Sequence, residues 1–122
     1  MINRGAVILR YREPAVRWIN AADPDCDNPG MTLGAVNRER PGYLMSDAYT
    51  YSLATMYSWV RGNYRQLFEA ELEGWYTNPA LWPQERTFEL LQAWFDVECH
   101  SEVIDMAEGD IYADAFEADD EA

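Results

Sequence analysis

The stretch Ser46-Asp-Ala-Tyr-Thr-Tyr-Ser-Leu-Ala-Thr-Met-Tyr-Ser-Trp-Val60 decides the fold class, because it is the clearest helix in the chain. Ser46 and Asp47 are typical of a helix start. The apolar residues that follow recur on one helical face, which predicts an amphipathic helix; they are Tyr49, Leu53, Met56, Tyr57 and Val60. The β-rich run Tyr43-Leu-Met45 comes directly before this helix and predicts a strand. A strand next to a packed helix indicates a mixed fold.

Toward the N-terminus the same alternation of strand and helix continues. The run Ala6-Val-Ile-Leu9 predicts a buried strand. Pro14 suits the first turn of a helix whose apolar face would include Trp18 and Ile19. The segment 23–30 is rich in Pro, Gly and Asx residues, so we expect a loop there. Thr32 could cap a brief helix after that loop.

Toward the C-terminus the pattern predicts three more helical segments and a final strand. Gly62-Asn63 is expected to interrupt the chain before a second apolar stripe that runs from Tyr64 to Trp75. Asn78-Pro79 predicts one helical turn, and a further helix, expected to be the most buried, starts near Glu85 to Thr87. The last strand is expected within Val97–Met106, around Val103 and Ile104.

These elements predict an α+β fold in the order β-α-β-α-α-α-β. We expect a two-layer single domain, in which a small sheet of about three strands is covered on one face by three to five helices. The domain would span residues 1–108, because 122 residues suffice for one hydrophobic core. Residues 109–122 would form an acidic, partly disordered tail, since they carry no base and few large apolar residues.

The charge of the chain is distributed very unevenly. Residues 1–65 carry eight Arg and six acids, whereas residues 66–122 carry one Arg and 16 acids, for a net charge of −13. No Lys is present. Such a field attracts basic partners and repels nucleic acid and anionic lipid. A net charge magnitude of about 2 to 8 is enough for solubility in a small domain, so the excess indicates an electrostatic role.

Two blocks of the sequence, Glu71–Asp105 and Val7–Asn20, carry a resemblance to known proteins. Together they resemble a family of small, acidic bacterial proteins that have no assigned activity. The resemblance covers about two thirds of the chain. It implies a bacterial single-domain protein, and it supplies no catalytic residues.

Metal and cofactor chemistry find little support in the sequence. Cys26 and Cys99 are far apart and lack paired-ligand spacing, so we expect free thiols in a reducing compartment. His100 is the single histidine, and on a strand it would point away from Cys99. We therefore expect no metal and no cofactor. Without a long apolar segment we also expect no membrane attachment and a cytoplasmic location.

Glu71 is the anomalous acid, because its helical position places it inside the apolar stripe between Tyr64 and Leu67. A buried carboxylate must be paired or neutralised, or it must reach the rim. A structural ion pair, a rim position and a functional pocket acid all stay open. Possible partners for the ion pair are Arg10, Arg12 and Arg17.

The segment Trp75 to Trp82 concentrates aromatic residues around two prolines. Trp75, Tyr76 and Trp82 could plug the core, or they could anchor a partner, since Trp and Tyr are enriched at binding hot spots. The acids on the predicted helices near them extend this candidate binding set. They are Glu69, Glu71, Glu73, Glu85 and Glu89.

Two functional hypotheses follow from these residues. The first is a protein-binding module that docks on a basic partner, as an inhibitor, an immunity or antitoxin-like protein, or a nucleic-acid mimic. The second is a small enzyme that uses Glu71 in a pocket with Arg and aromatic neighbours. The single His and the lack of a paired nucleophile make an enzyme the weaker hypothesis. Neither the partner nor the oligomeric state follows from the sequence.

Overall fold

The computed structural model describes residues 2–23 and 30–112. Three strands and four α-helices follow one another along the chain, with short 3₁₀ helices at Asp47–Tyr49 and Pro79–Leu81. The strands are β1 (Arg4–Tyr11), β2 (Tyr43–Ser46) and β3 (Phe95–His100). The helices are α1 (Glu13–Ala21), α2 (Leu33–Val36), α3 (Leu53–Trp75) and α4 (Phe88–Trp94). The α+β prediction is therefore confirmed.

The three strands form an antiparallel sheet in the order β2-β1-β3. Along β1 alternate residues are buried, among them Val7, Leu9 and Tyr11, while Arg4 and Arg10 on the other face are exposed. One face of the sheet therefore packs against the helices, as the period of two along a strand requires. The buried residues of α3, among them Val60, Phe68 and Leu72, fill the space between the helices and the sheet.

Gly5 is required where β1 passes beneath the chain that connects β2 to α3. A Cβ at this position would lie 2.5 Å from Thr50 Cγ2 and 3.0 Å from the backbone oxygen of His100. A side chain larger than hydrogen would force these neighbours apart.

Local signals explain where most helices begin. Thr32 and Thr87 accept hydrogen bonds from backbone N–H groups in the first turns of α2 and α4. Ser52 and Thr55 form a reciprocal capping box at the start of α3. This cap corrects one prediction, because Ser46 and Asp47 begin a 3₁₀ turn and not the long helix.

Three further sequence predictions are wrong. Gly62-Asn63 does not interrupt the chain, since α3 runs through it as a single helix of 23 residues. The last strand is Phe95–His100, and Val103 and Ile104 lie after it. The helix α4 is not the most buried one, since only Leu91 is buried in it, whereas six residues of α3 and three of α1 are buried. The residues 24–29 of the predicted loop and residues 113–122 of the predicted tail lie outside the described residues.

Candidate functional site

The candidate site is built around Glu71, whose side chain is only 5% exposed in the middle of the molecule. The hydroxyl of Tyr11, at the end of β1, donates a hydrogen bond to Glu71 Oε1 at 2.6 Å. The hydroxyl of Tyr43, at the start of β2, donates to Glu71 Oε2. Two neighbouring strands of the sheet therefore each contribute one tyrosine that hydrogen-bonds to the same carboxylate on α3.

Trp75 completes this cluster from one turn further along α3. Its indole N–H donates to the Tyr11 hydroxyl oxygen at 2.8 Å, and the two rings meet edge to face at 6.2 Å. The Tyr11 hydroxyl thus accepts one hydrogen bond from Trp75 and donates one to Glu71, so its orientation is fixed. We call Tyr11, Tyr43, Glu71 and Trp75 the carboxylate cluster.

The two tyrosines are held in their neutral, proton-donating form. Burial raises the pKa of the Tyr11 hydroxyl well above its usual range, and the adjacent Glu71 carboxylate raises it further. The pKa of Tyr43 is raised in the same way, first by burial and then by its hydrogen bond to Glu71. Neither hydroxyl is therefore an activated nucleophile or base near neutral pH.

The predicted arginine partners of Glu71 are wrong. Its two oxygens accept from tyrosines, and Arg12 instead donates to the backbone oxygen of Gln92 at 3.1 Å. The rim position is also wrong, because Glu71 is buried. Helical periodicity located the carboxylate correctly, but it carried no information about which strand residues face it. The sequence pattern indicates a strand at Tyr43, but nothing in it indicates that Tyr11 or Tyr43 would contact Glu71.

A cavity of about 200 Å³ opens beside the carboxylate cluster. Its inner wall contains Glu71, Tyr11 and Val36, all buried, and Trp75 is a half-buried wall residue. The outer wall consists of exposed residues, which are Glu39, Pro41, Ala70 and Gly74. Among the described residues that line this cavity, the charged side chains are Glu39 and Glu71, and both are acidic. The arginine neighbours expected by the enzyme hypothesis are not in this lining.

A larger groove of about 560 Å³ runs beside β3 and differs in kind. Arg12 and Asp96 line it, so both signs of charge are present, and both residues are exposed. The hydroxyl of Tyr57 donates to the backbone oxygen of Val97 there at 3.3 Å. No buried charged side chain is among the described residues that line this groove.

Tyr76 and Trp82 lie apart from the cavity and plug the end of the core instead. The Tyr76 hydroxyl donates to the backbone oxygen of Ile19, and the Trp82 indole N–H donates to the backbone oxygen of Tyr76 at 2.7 Å. Trp18 packs edge to face on Tyr76 at 5.2 Å and donates to the backbone oxygen of Leu81 at 2.9 Å. These contacts fasten the segment after α3 onto α1, which agrees with the core-capping interpretation.

Four of the predicted acids lie away from the sheet, Glu69 and Glu73 on α3, Glu89 on α4 and Glu85 in the segment before α4. Glu69 Oε2 lies 3.2 Å from Arg86 Nε, and this ion pair brings the segment before α4 against the outer side of α3. Glu73, Glu85 and Glu89 are exposed, and Glu69 is half-buried. We call Glu69, Glu73, Glu85 and Glu89 the acidic helical face. Arg86 is the single base after residue 65, and its side chain also packs 5.6 Å from the centre of the Trp82 ring.

Cys99 and His100 lie on opposite faces of β3, in line with the sequence prediction. Cys99 pairs with Val7 on the covered face, where burial raises the pKa of its thiol. His100 Nε2 lies 2.8 Å from Glu98 Oε2 on the open face. No group of three or more potential metal ligands occurs within residues 2–23 and 30–112.

In the part of the chain that the structure describes, no helix is long and apolar enough to cross a bilayer. A comparison of the chain with models of protein families, with curated proteins and with solved structures finds no match.

Proposed function

We propose that this protein binds a basic partner protein, and that the acidic helical face is the surface that docks. The observation that carries this proposal is an imbalance of exposed charge. Between residues 66 and 112, all of them described, eight acids are exposed, three of them on the acidic helical face, and the one arginine, Arg86, is already paired with Glu69. Acids in such excess produce a negative potential that extends beyond the surface.

The open face of the sheet is a weaker candidate, because its acids are partly balanced. Asp96 lies opposite Arg10 in the register of the sheet, and the pKa of Glu98 is lowered first by its hydrogen bond with His100 and then by Arg40 and Arg10. The acidic helical face also has arginines nearby, since Arg65 lies one turn before Glu69 on α3 and Arg61 packs over the ring of Phe88, next to Glu89. We favour this face because three of its acids, Glu73, Glu85 and Glu89, are exposed and have no ion pair among the described residues.

Electrostatic attraction of this kind affects the rate of association more than the final affinity. Complementary charges can raise association rates by one or more orders of magnitude at low salt, and the effect is screened beyond about 8 Å at physiological ionic strength. We therefore expect binding to weaken as salt increases, with most of the change in the association rate.

Two matched triple variants test this proposal. The first, Glu73→Gln with Glu85→Gln and Glu89→Gln, removes three charges from the acidic helical face. The second, Glu102→Gln with Asp105→Asn and Glu108→Gln, removes three charges from exposed positions elsewhere. Glu69 is left unchanged, so the ion pair with Arg86 is preserved.

Each variant and the native protein would be used to capture partners from the native host at low and moderate salt. The captured protein would then be purified, and its association rate would be measured at several salt concentrations. We expect a basic protein that binds the native chain and the control variant, and that binds the first variant more slowly. Equal capture by all three proteins, or no captured protein at either salt, would contradict the proposal.

The other predictions about function gain no support from the site. An enzyme at Glu71 stays a prediction, since the described lining of the cavity contains no His, Ser or Cys and its tyrosine is held neutral. A cytoplasmic location and membership of the small acidic bacterial family are likewise proposals. They fit the charge of −13 and the free thiol of Cys99.

A further inference from the structure

The cavity beside Glu71 is separate from the proposed docking surface. Glu71 is displaced from Glu69 and Glu73 by two residues, which is about 200° around an α-helix. Accordingly Glu71 is buried against the sheet while Glu73 is exposed on the other side of α3. A partner on the acidic helical face would not cover the cavity, so the cavity needs an explanation of its own.

The charge of this cavity selects for cations. Both charged side chains in its described lining are carboxylates, Glu71 inside and Glu39 at the exposed edge. Each oxygen of Glu71 accepts one hydrogen bond from a tyrosine hydroxyl, and a carboxylate oxygen can accept two hydrogen bonds. Among the described residues, each oxygen therefore keeps one acceptor position without a hydrogen bond, and Glu71 is part of the cavity wall.

The carboxylate is also held in place before any ligand arrives. Tyr11 and Tyr43 fix its two oxygens from different strands, and Trp75 fixes Tyr11. A charged group that is already oriented does not have to be ordered on binding, which favours affinity. A buried carboxylate without a neighbouring cation is costly, and the described residues place no arginine at Glu71.

The remaining walls suit a short apolar stem. Val36, Pro41 and Ala70 are apolar, and Tyr11 and Trp75 add aromatic surface, which attracts cations as well as methylene groups. The volume of about 200 Å³ is smaller than the roughly 300 to 1,000 Å³ of a typical ligand pocket. The ligand must therefore be small.

We infer that this cavity is a binding site for a small organic cation, an ammonium or guanidinium group on a short alkyl chain. The charged group hydrogen-bonds to Glu71, and its stem lies against Trp75 and Val36. Glu39 adds attraction at the entrance. This site does not depend on the proposed docking function.

Titration followed by NMR tests the inference with defined probes. n-Butylguanidinium and n-butylammonium chloride would be added to the isotopically labelled native protein, with 1-butanol and sodium butyrate as neutral and anionic controls. We expect saturable shifts of the Trp75 indole N–H and of the amides near Glu39 and Ala70 with the two cations alone. Shifts that stay linear, or equal shifts with 1-butanol, would overturn the inference.

A pair of variants assigns the binding to the cavity. Glu71→Gln removes the inner charge, so we expect the affinity for n-butylguanidinium to fall about tenfold or more, as for the loss of a hydrogen bond to a charged group. Glu102→Gln removes the same charge from an exposed position outside both the cavity and the acidic helical face, and it should leave the affinity unchanged. Equal effects of the two variants would mean general attraction to an acidic surface, and would overturn the site.

A further variant keeps the test decisive if Glu71→Gln does not fold. Glu39 is exposed, so Glu39→Gln should fold normally and weaken binding by a few-fold. An unchanged affinity in this variant, with Glu71→Gln unfolded, would count against the site.

The same chemistry could come from a free cation or from an arginine side chain of a protein. A blocked arginine, N-acetyl-arginine-methylamide, distinguishes these two sources. If the blocked arginine binds as tightly as n-butylguanidinium, the cavity can accept an arginine side chain of a protein. If the blocked arginine binds much more weakly, the cavity accepts only a free cation. Both results require that the native protein bind n-butylguanidinium.

Discussion

Glu71 and Glu73 lie two residues apart in α3, yet their surroundings are opposite. Glu71 is buried and accepts hydrogen bonds from two tyrosines of the sheet, whereas Glu73 is exposed on the outer side of the same helix. The first carboxylate must be stabilised by its neighbours, because a buried charge without partners is costly. The second is stabilised by water, and its charge adds to the long-range field. The same side chain is therefore part of the packed core at one position, where we propose that it binds a ligand, and part of the solvated surface at the other, where we propose that it attracts a partner.

Removing both tyrosine donors should have the largest effect on this contrast. The double variant Tyr11→Phe with Tyr43→Phe leaves the Glu71 carboxylate buried without its hydrogen bonds. We expect the free energy of unfolding to fall by about 3 to 5 kcal/mol, as when a buried charge loses its partners. Urea denaturation measures this loss.

A matched control uses two tyrosines that are exposed. The double variant Tyr49→Phe with Tyr51→Phe should stay within about 0.5 kcal/mol of the native protein. If both double variants lost similar stability, the hydroxyls around Glu71 would have no special role.

The single substitutions should separate the two tyrosines. Each loses a hydrogen bond to a charged group, which contributes about 1.5 to 3 kcal/mol. Tyr11→Phe should lie at the upper end, since it also leaves the Trp75 indole N–H without its acceptor. Tyr43→Phe should lie at the lower end, because Tyr43 is only half-buried. Denaturation curves that gave the opposite order would contradict the central role of Tyr11 in the cluster.

Alkaline pH should lower the free energy of unfolding, because the same two tyrosine hydroxyls have raised pKa values in the folded protein. The pKa of each is higher in the folded protein than in the unfolded chain, where a tyrosine has a pKa of about 10. The unfolded chain therefore releases these protons first. Their contribution to stability is complete below about pH 10 and is lost as the pH rises above it.

Urea midpoints measured from neutral to strongly alkaline pH would show this decline. In Tyr43→Phe the decline should be shallower than in the native protein, since one of the two groups is gone. In Glu73→Gln the decline should be unchanged. An identical decline in Tyr43→Phe and in the native protein would show that Tyr43 does not titrate as its burial requires.

The smallest effect is expected on the open face of the sheet, where Glu98 meets His100. The pKa of Glu98 is lowered chiefly by its hydrogen bond with His100. A lowered acid pKa contributes stability above the pKa of the unfolded chain, and this contribution disappears as the pH falls. Because this pair is mostly solvated, the contribution is small.

NMR titration of the Glu98 carboxyl group measures this interaction directly. His100→Ala should bring the pKa of Glu98 back toward its usual value, and Arg10→Gln should move it less. The urea midpoint at neutral pH should hardly change in either variant. A large loss of stability in His100→Ala would mean that exposed and buried carboxylates differ less than the structure indicates.

The sequence predicted the position of Glu71 but not its partners. Helical periodicity places a residue on a face of its own helix, so Glu71 could be assigned to the core side of α3. The donors come from β1 and β2, 60 and 28 residues away in the chain. Which strand residues reach a given helix depends on tertiary packing, whereas opposite charge alone favours an arginine as the partner of a carboxylate.

Two of the incorrect element boundaries have a related cause. Gly62 costs a helix about 1 kcal/mol, but buried residues on both sides of it, such as Val60 and Leu67, hold α3 together. Phe95 fits the apolar stripe of α4, so helical periodicity alone would extend that helix through it. Its alternation with Val97 and Cys99 was the better signal, because these three face the covered side of the sheet.

The most direct test of the contrast within α3 is the free energy of unfolding of Glu71→Ala and Glu73→Ala, measured side by side at neutral pH. Glu71→Ala leaves two tyrosine hydroxyls without their acceptor and should cost about 3 kcal/mol or more. Glu73→Ala should stay within about 0.5 kcal/mol of the native protein. Equal costs for the two substitutions would contradict the account, since Glu71 would then be no more integrated into the fold than a solvated surface acid.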